Sequence, residues 1–223
     1  MGVGFQKEGY MSKKNLFIAL LVFVLVSLVG YDCESRESVE ANPVRVGEMQ
    51  KEFRDLWLGH IFLIQHVVLY SAANDPAARN AADKQVLANA KQMANIFKPF
   101  YGPARTEKLF TMLSGHYGAV KEYSEATIAG DQPQQDAALA RMASNAEDID
   151  VFFNGINPHN LAKGTVGGLI AAHSAHHVLQ INQYKKKEYE KLEETWSTMR
   201  QHVYVIADTL VAALAKQFPA RFP

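Results

Sequence analysis

The stretch WLGHIFLIQHVVLYSAANDPAARNAADKQVLANAKQM, residues 57–93, decides how the chain is read. Ahead of the Asn74-Asp75-Pro76 breaker, Phe53, Trp57, His60, Ile64, Val67 and Ser71 recur at steps of three and four, so they share one stripe of a helix. Beyond the breaker, Val86, Asn89, Met93 and Ile96 do the same. Asp75 sits where it can cap the second helix. One polar residue interrupts each apolar stripe: His60 before the turn and Asn89 after it. Both lie roughly 21 Å from the turn at 1.5 Å per residue, so in an antiparallel pair they face each other at one height.

The pattern returns twice. His60, His116 and His173 are spaced by 56 and 57 residues, as are Asn89, Asn145 and His202, and each histidine precedes its partner by 29. Leu109, Leu113 and His116 match Phe53, Trp57 and His60; Val166, Ile170 and His173 follow with a one-residue offset. Met142, Asn145, Ile149 and Phe152 match the second stripe, and Met199, His202, Ile206 and Leu210 are its looser third copy. Such a period implies one structural unit used three times. Gly/Pro/Asn/Asp breakers delimit six helices at about 47–73, 77–98, 104–129, 133–154, 161–187 and 189–217. No period-2 segment competes with them. The expected fold is therefore all-α: an antiparallel bundle of about six helices built as three helical hairpins with an internal repeat. All six polar side chains should lie in one slab across it. The small residues Gly164, Gly167, Gly168, Ala171, Ala172 and Ala175 should let the fifth helix pack closely.

A buried imidazole or carboxamide without a partner costs a few kcal/mol. Two readings account for the slab. In one, each histidine bonds its asparagine and the pairs fix helix register, as buried polar residues do in coiled coils. The protein is then a non-enzymatic structural, interaction or sensor module. In the other, the slab holds a transition-metal ion. Bundles build metal centres from inward side chains on facing helices, and neutral imidazole suits zinc, iron, copper or nickel. His60, His116 and His173 would share the ion, with His202 or Asp148 as a further ligand. His177, one turn beyond His173, would chelate with it, while Asn89 and Asn145 complete the polar layer. Glu147 and Asp150 should face solvent. His66, His159 and His176 fall outside the register. In its histidines alone, the set His60, His116 and His173-x-x-x-His177 resembles the metal-binding four-helix proteins of the hemerythrin and DinB type, which implies a metal ion and nothing finer. The hemerythrin carboxylate spacings are absent, and no family is assigned on this likeness.

Other chemistries find no support. The formal net charge is zero, which gives no electrostatic case for nucleic acid. A single cysteine excludes a disulfide framework. Gly164-Thr165-Val166-Gly167-Gly168 lacks the Lys-Ser/Thr of a phosphate loop, so no nucleotide is expected. Haem has no Cys-x-x-Cys-His attachment site, and no nucleophile elbow is present. The sequence names no reaction and no protein partner.

Residues 1–31 read as an N-terminal extension and a hydrophobic helix serving as signal or membrane anchor. Asn15 to Tyr31 is apolar, Lys13 and Lys14 precede it, and Asp32, Glu34, Glu37 and Glu40 follow. The basic flank should remain in the cytoplasm, placing the body on the extracytoplasmic side of a bacterial-type cell envelope, membrane-anchored or secreted. Cys33 lacks the directly preceding small residue of a lipobox, so an uncleaved anchor is expected over lipidation. Residues 32–45 read as a polar tether and 46–223 as the bundle domain.

Overall fold

The computed structural model describes Met1, Gly2 and residues 40–223. The apolar run, Cys33 and most of the tether lie outside the described residues. Among those described there is no strand, and no helix is long and apolar enough to cross a membrane. Six helices follow in order: α1 Pro43–Ala72, α2 Pro76–Asn95, α3 Lys98–Ala129, α4 Gln132–Ile156, α5 Thr165–Lys186 and α6 Tyr189–Gln217. A 3-10 turn, Pro219–Arg221, closes the chain.

The breakers act through identifiable backbone chemistry. Helices α1, α3 and α5 all end on a left-handed residue: Asn74 (φ 54°), Gly130 (φ 75°) and Lys187 (φ 62°). At each, the next amide reaches back over a full turn, Asp75 N to Tyr70 O, Asp131 N to Ala126 O and Glu188 N to Gln183 O. These are Schellman closures, which satisfy carbonyls the helix end would otherwise strand. Asp75 and Asp131 then cap the following helices, accepting from Ala78 N at 2.9 Å and Gln134 N at 3.1 Å. Lys185 and Lys186 sit in the last turn of α5, where cations oppose the helix dipole.

Three boundaries differ from the periodicity. Helix α1 starts at Pro43, because Asn42 accepts from Val44 N at 3.0 Å and proline suits the first helical position. The last residues assigned to the tether are therefore helical. Helix α3 starts at Lys98 but breaks at Gly102 (φ 78°, ψ 174°), ahead of Pro103. Helix α5 begins four residues late, at Thr165, because Gly164 takes φ 87° at its N-cap.

The start of α5 also overturns one expectation. Asp150 does not face solvent: it is 6% exposed, and its carboxylate accepts from Gly164 N at 2.7 Å and Gly167 N at 2.9 Å. It thus satisfies two stranded amides of α5 from the neighbouring α4 and carries a negative charge to the positive helix end. A Cβ on Gly167 would lie 2.9 Å from Asp150 Cβ, so glycine is required there by contact. Of the small residues read as packing devices, Gly167 plays that part; Gly168 meets nothing, and Ala171, Ala172 and Ala175 are exposed.

Consecutive helices pack side by side, and α6 returns to α1. In addition α1 touches α3 and α3 touches α5, so these three turn faces toward a common interior. Two apolar clusters fill it. The larger is built around Phe53, Trp57, Phe97, Phe153, Met199 and Leu210; the smaller around Ile64, Val67, Val86, Tyr117, Val120 and Met142. His60 lies in sequence between Trp57 of the first and Ile64 of the second, and His116 likewise between Leu109 and Val120. The polar layer is thus sandwiched between two dry regions. At the open end of the bundle, Asn42 N donates to Phe222 O at 2.8 Å and Phe222 packs on Phe100, which fixes the start of α1 to the end of the chain.

Asp150→Ala should cost about 2 kcal/mol, the loss of two charge-assisted hydrogen bonds at a buried site. Gly167→Ala should also destabilise, through the Cβ contact. Urea unfolding followed by circular dichroism measures both, and a midpoint unchanged in either variant would contradict the cap as described.

Candidate metal centre

Helices α1, α3 and α5 each deliver imidazole to the layer. His60 is 5% exposed, His116 4%, His173 0% and His177 1%. One ring nitrogen from each of the four lies within 4.8 Å of the other three. No other group of three or more candidate ligands occurs among the described residues. The histidines of three helices meet because α1, α3 and α5 turn faces toward the common interior. His173 and His177 are one turn apart on α5, and their Nε2 atoms stand 3.1 Å from each other. Metal–nitrogen bonds of about 2.0–2.1 Å give tetrahedral edges of about 3.3 Å, so this pair already has the spacing of two ligands on one ion. The His116 and His173 rings stack at 5.4 Å and 27°. Trp57 closes one side, with its ring edge-on to His173 at 5.2 Å and to His60 at 5.8 Å.

Asn89 and Asn145 do not pair with the histidines as direct hydrogen-bond partners. Asn89 Nδ2 donates to Leu56 O at 3.0 Å, and Asn145 Nδ2 donates to Met112 O at 3.0 Å. Each carbonyl belongs to the residue four before a histidine, where it faces across to the next helix. Fixing Nδ2 on an acceptor leaves Oδ1 as the free acceptor, and in both residues Oδ1 is buried without a partner. Nδ1 of His60 and both ring nitrogens of His116 are buried and unpartnered too. Each asparagine nonetheless favours the charged form of its own histidine, as an acceptor beside a ring N–H does. A Cβ on Gly59 would lie 3.7 Å from Asn89 Nδ2, and one on Gly115 3.4 Å from Asn145 Nδ2, both ordinary van der Waals contacts, so each carboxamide packs directly against the helix that carries the histidine.

Two expected ligands fall outside the group of four. Asp148 is exposed on α4, since three residues beyond Asn145 the helix has turned its face to solvent. His202 is half-buried on α6 and bonds Leu169 O at 2.9 Å through Nε2. Asn145 is half-buried as well, so the six polar residues do not share one depth. Of the off-register histidines, His66 and His159 are exposed and His176 lies beside His202 with rings 5.2 Å apart.

Burial sets the protonation of the cluster. Removal from water pushes His60 down to about 3, with the neighbouring His116 adding to the shift and Asn89 opposing it. The same desolvation pushes His116 down to about 4 against the pull of Asn145. His173 and His177 are held well below the ordinary imidazole value, again chiefly by burial and then by the surrounding histidines. All four are neutral near pH 7, and each neutral ring carries one N–H and one lone pair. No carboxylate or hydroxyl bonds these rings, and their one mutual polar contact is His173 Nε2 to His177 Nε2 at 3.1 Å. The donor set of four neutral imidazoles fits zinc, copper, iron or nickel, and His116, with neither ring nitrogen partnered, is the ring such an ion would most relieve. Compared with protein-family models, curated proteins and solved structures, the chain matches none.

The depressed values fix the sign of a pH effect. An unfolded chain takes up protons on these histidines as pH falls through 6.5, while the folded chain does not until about 4 and 3 at His116 and His60. Stability present above pH 6.5 is therefore lost on acidification, by about 1.4 kcal/mol per pH unit for each buried imidazole. Urea titrations of chelator-treated protein at pH 7, 6 and 5 should show this fall. A flat profile, or one as steep in His60→Leu/His116→Leu, would contradict it.

Proposed function

We propose that the chain is a membrane-tethered, extracytoplasmic helical bundle that holds one transition-metal ion on His60, His116, His173 and His177. The observation that carries the metal reading is the convergence of four buried imidazoles within 4.8 Å, with both ring nitrogens of His116 and Nδ1 of His60 and His173 lacking a partner. A purely structural layer would pair its polar groups, since each orphaned one costs about 1–3 kcal/mol. Here His116 has neither nitrogen paired, and the carboxamide oxygens of Asn89 and Asn145 are spare. One bound ion would be held by a ring nitrogen from each of His60, His116, His173 and His177, and the spare Oδ1 atoms of Asn89 and Asn145 would be acceptors for the outer N–H groups of their own histidines.

The three-unit reading of the chain is supported by bonds of one pattern. Asn89, Asn145 and His202 each bond a backbone carbonyl 33 residues earlier, and the Schellman closures at Asn74, Gly130 and Lys187 keep the same register. Tethering rests on the sequence alone, on the apolar run after Lys13-Lys14 and the acidic residues that follow. No reaction is assigned. Zinc, iron, copper and nickel all suit imidazole, and the ion retained identifies which is held.

Elemental analysis of the full chain, purified in detergent without chelators, tests the metal reading. One equivalent of a transition metal should copurify and be absent from His116→Ala and His173→Ala. At an ion concentration 100 times the dissociation constant, binding should add about 2.7 kcal/mol of stability, so chelation should lower Tm. Trp57 gives an independent signal. In Trp196→Phe it is the sole tryptophan of two, and copper(II) should quench its fluorescence. A metal-free protein that takes up none of the four ions, with Tm indifferent to chelator, defeats the proposal and leaves the structural or interaction module.

A further inference from the structure

The seam between α1 and α5 holds a cavity that ends on the histidine layer. Helix α6 lies against both helices, whereas the backbones of α1 and α5 approach each other less closely, so side chains alone fill the seam. They leave about 20 Å³ empty, between Gln65 and Val68 of α1, His177, Gln180 and Tyr184 of α5, and Trp196 of α6. Gln65, Gln180, Tyr184 and Trp196 are partly exposed at the rim, and His177 at the floor is 1% exposed. His177, Gln180 and Tyr184 recur at steps of three and four, so one stripe of α5 runs from the surface to the layer. Of the four converging rings His177 alone lines the cavity, and its Nε2 is 3.1 Å from His173 Nε2. One ring therefore belongs to both the cavity and the cluster.

Size and polarity decide what the cavity takes. A space of roughly 10–15 Å³ holds one water, provided polar partners line it. Gln180 Nε2 is buried without a partner, a donor that such a molecule would satisfy. The void among Phe53, Phe97, Ile149 and Leu210, within the larger apolar cluster, makes the contrast: it is about 10 Å³ and walled by apolar and aromatic side chains. Apolar voids of that kind stay dry. An ion with its full shell of waters is several times larger than the cavity at His177. An ion passing there sheds water on the way and meets His177 first.

We infer that this cavity is the port of the metal centre: it takes one water on Gln180 Nε2 beside His177, and an ion stripped of most of its own water passes through it to the four imidazoles. The traffic in ions rests on the metal reading, but the water at Gln180 belongs to the metal-free protein and is read separately. The port stops at His177, so the rings of His60 and His116 stay dry.

Zinc exchange by the full chain in detergent, followed by stopped flow with a chromogenic chelator, tests the port. Leu69→Trp enlarges a half-buried side chain of the cavity wall. It should slow uptake and release alike by about tenfold, the effect of roughly 1.4 kcal/mol on a barrier, and leave the dissociation constant unchanged. Trp196→Ala opens the rim and should speed both. Leu139→Trp, at an exposed position of α4, should alter neither. In NMR of the metal-free protein, magnetisation transfer from water should reach the His177 ring and the Gln180 amide but not the His60 or His116 rings. Gln180→Leu should remove the transfer to His177. Rates unchanged in Leu69→Trp and Trp196→Ala, a shifted dissociation constant in place of matched rate changes, or equal slowing in Leu139→Trp overturns the port. So does water that misses His177 or wets all four rings alike. If wild type takes up no zinc, the metal reading fails, and the NMR result alone decides whether the cavity brings water to His177. Should Leu69→Trp not fold, Trp196→Ala carries the decision.

Discussion

Desolvation of imidazole is the constraint from which the rest of this structure follows. Four histidine rings are taken out of water between two apolar clusters, and water cannot repair what the helices leave unpaired. The cost is met in part by neutralising the rings. It is met least at His116, where neither ring nitrogen has a partner, although a nitrogen of each of the four rings lies within 4.8 Å of the others.

The helices that carry the rings are held by devices at their ends rather than by the layer itself. Left-handed residues at Asn74, Gly130 and Lys187 stop α1, α3 and α5, and acidic residues follow each. Asp150 fastens the start of α5 to α4, four residues from the Asn154 side chain that holds Leu161 O at 2.9 Å. The His173–His177 pair on α5 therefore stands on a helix whose first turn is anchored by the buried Asp150 carboxylate. Helix α5 also contributes His173 and His177 from one stripe, which makes it the element whose rotation would alter the cluster most.

Much of this was legible in the residues. Periodicity marked six helices because their apolar stripes are long and their stops chemically distinct. The histidines were visible as polar interruptions of those stripes. Less legible were features that depend on how helices cross. The convergence of α1, α3 and α5 turns on which faces share the interior, and spacing along one helix carries no such information. Asp148 and Asp150 illustrate the limit: counted from Asn145, the first sits near the stripe and the second away from it, yet Gly167 of α5 presses on Asp150 and brings it inside. The carbonyl partners of Asn89, Asn145 and His202 were invisible because backbone atoms have no letter in a sequence.

Helix α6 lies against both α5 and α1, and Phe222 and Pro223 grip Asn42. The wall around the histidines is therefore completed by its most distant segments in sequence. During synthesis the rings of α1 and α3 exist long before α6 can shelter them, and they remain hydrated and titratable through that interval. Shelter of the layer from water therefore belongs to the finished chain, because α6 and the C-terminal residues that close the bundle come last in sequence.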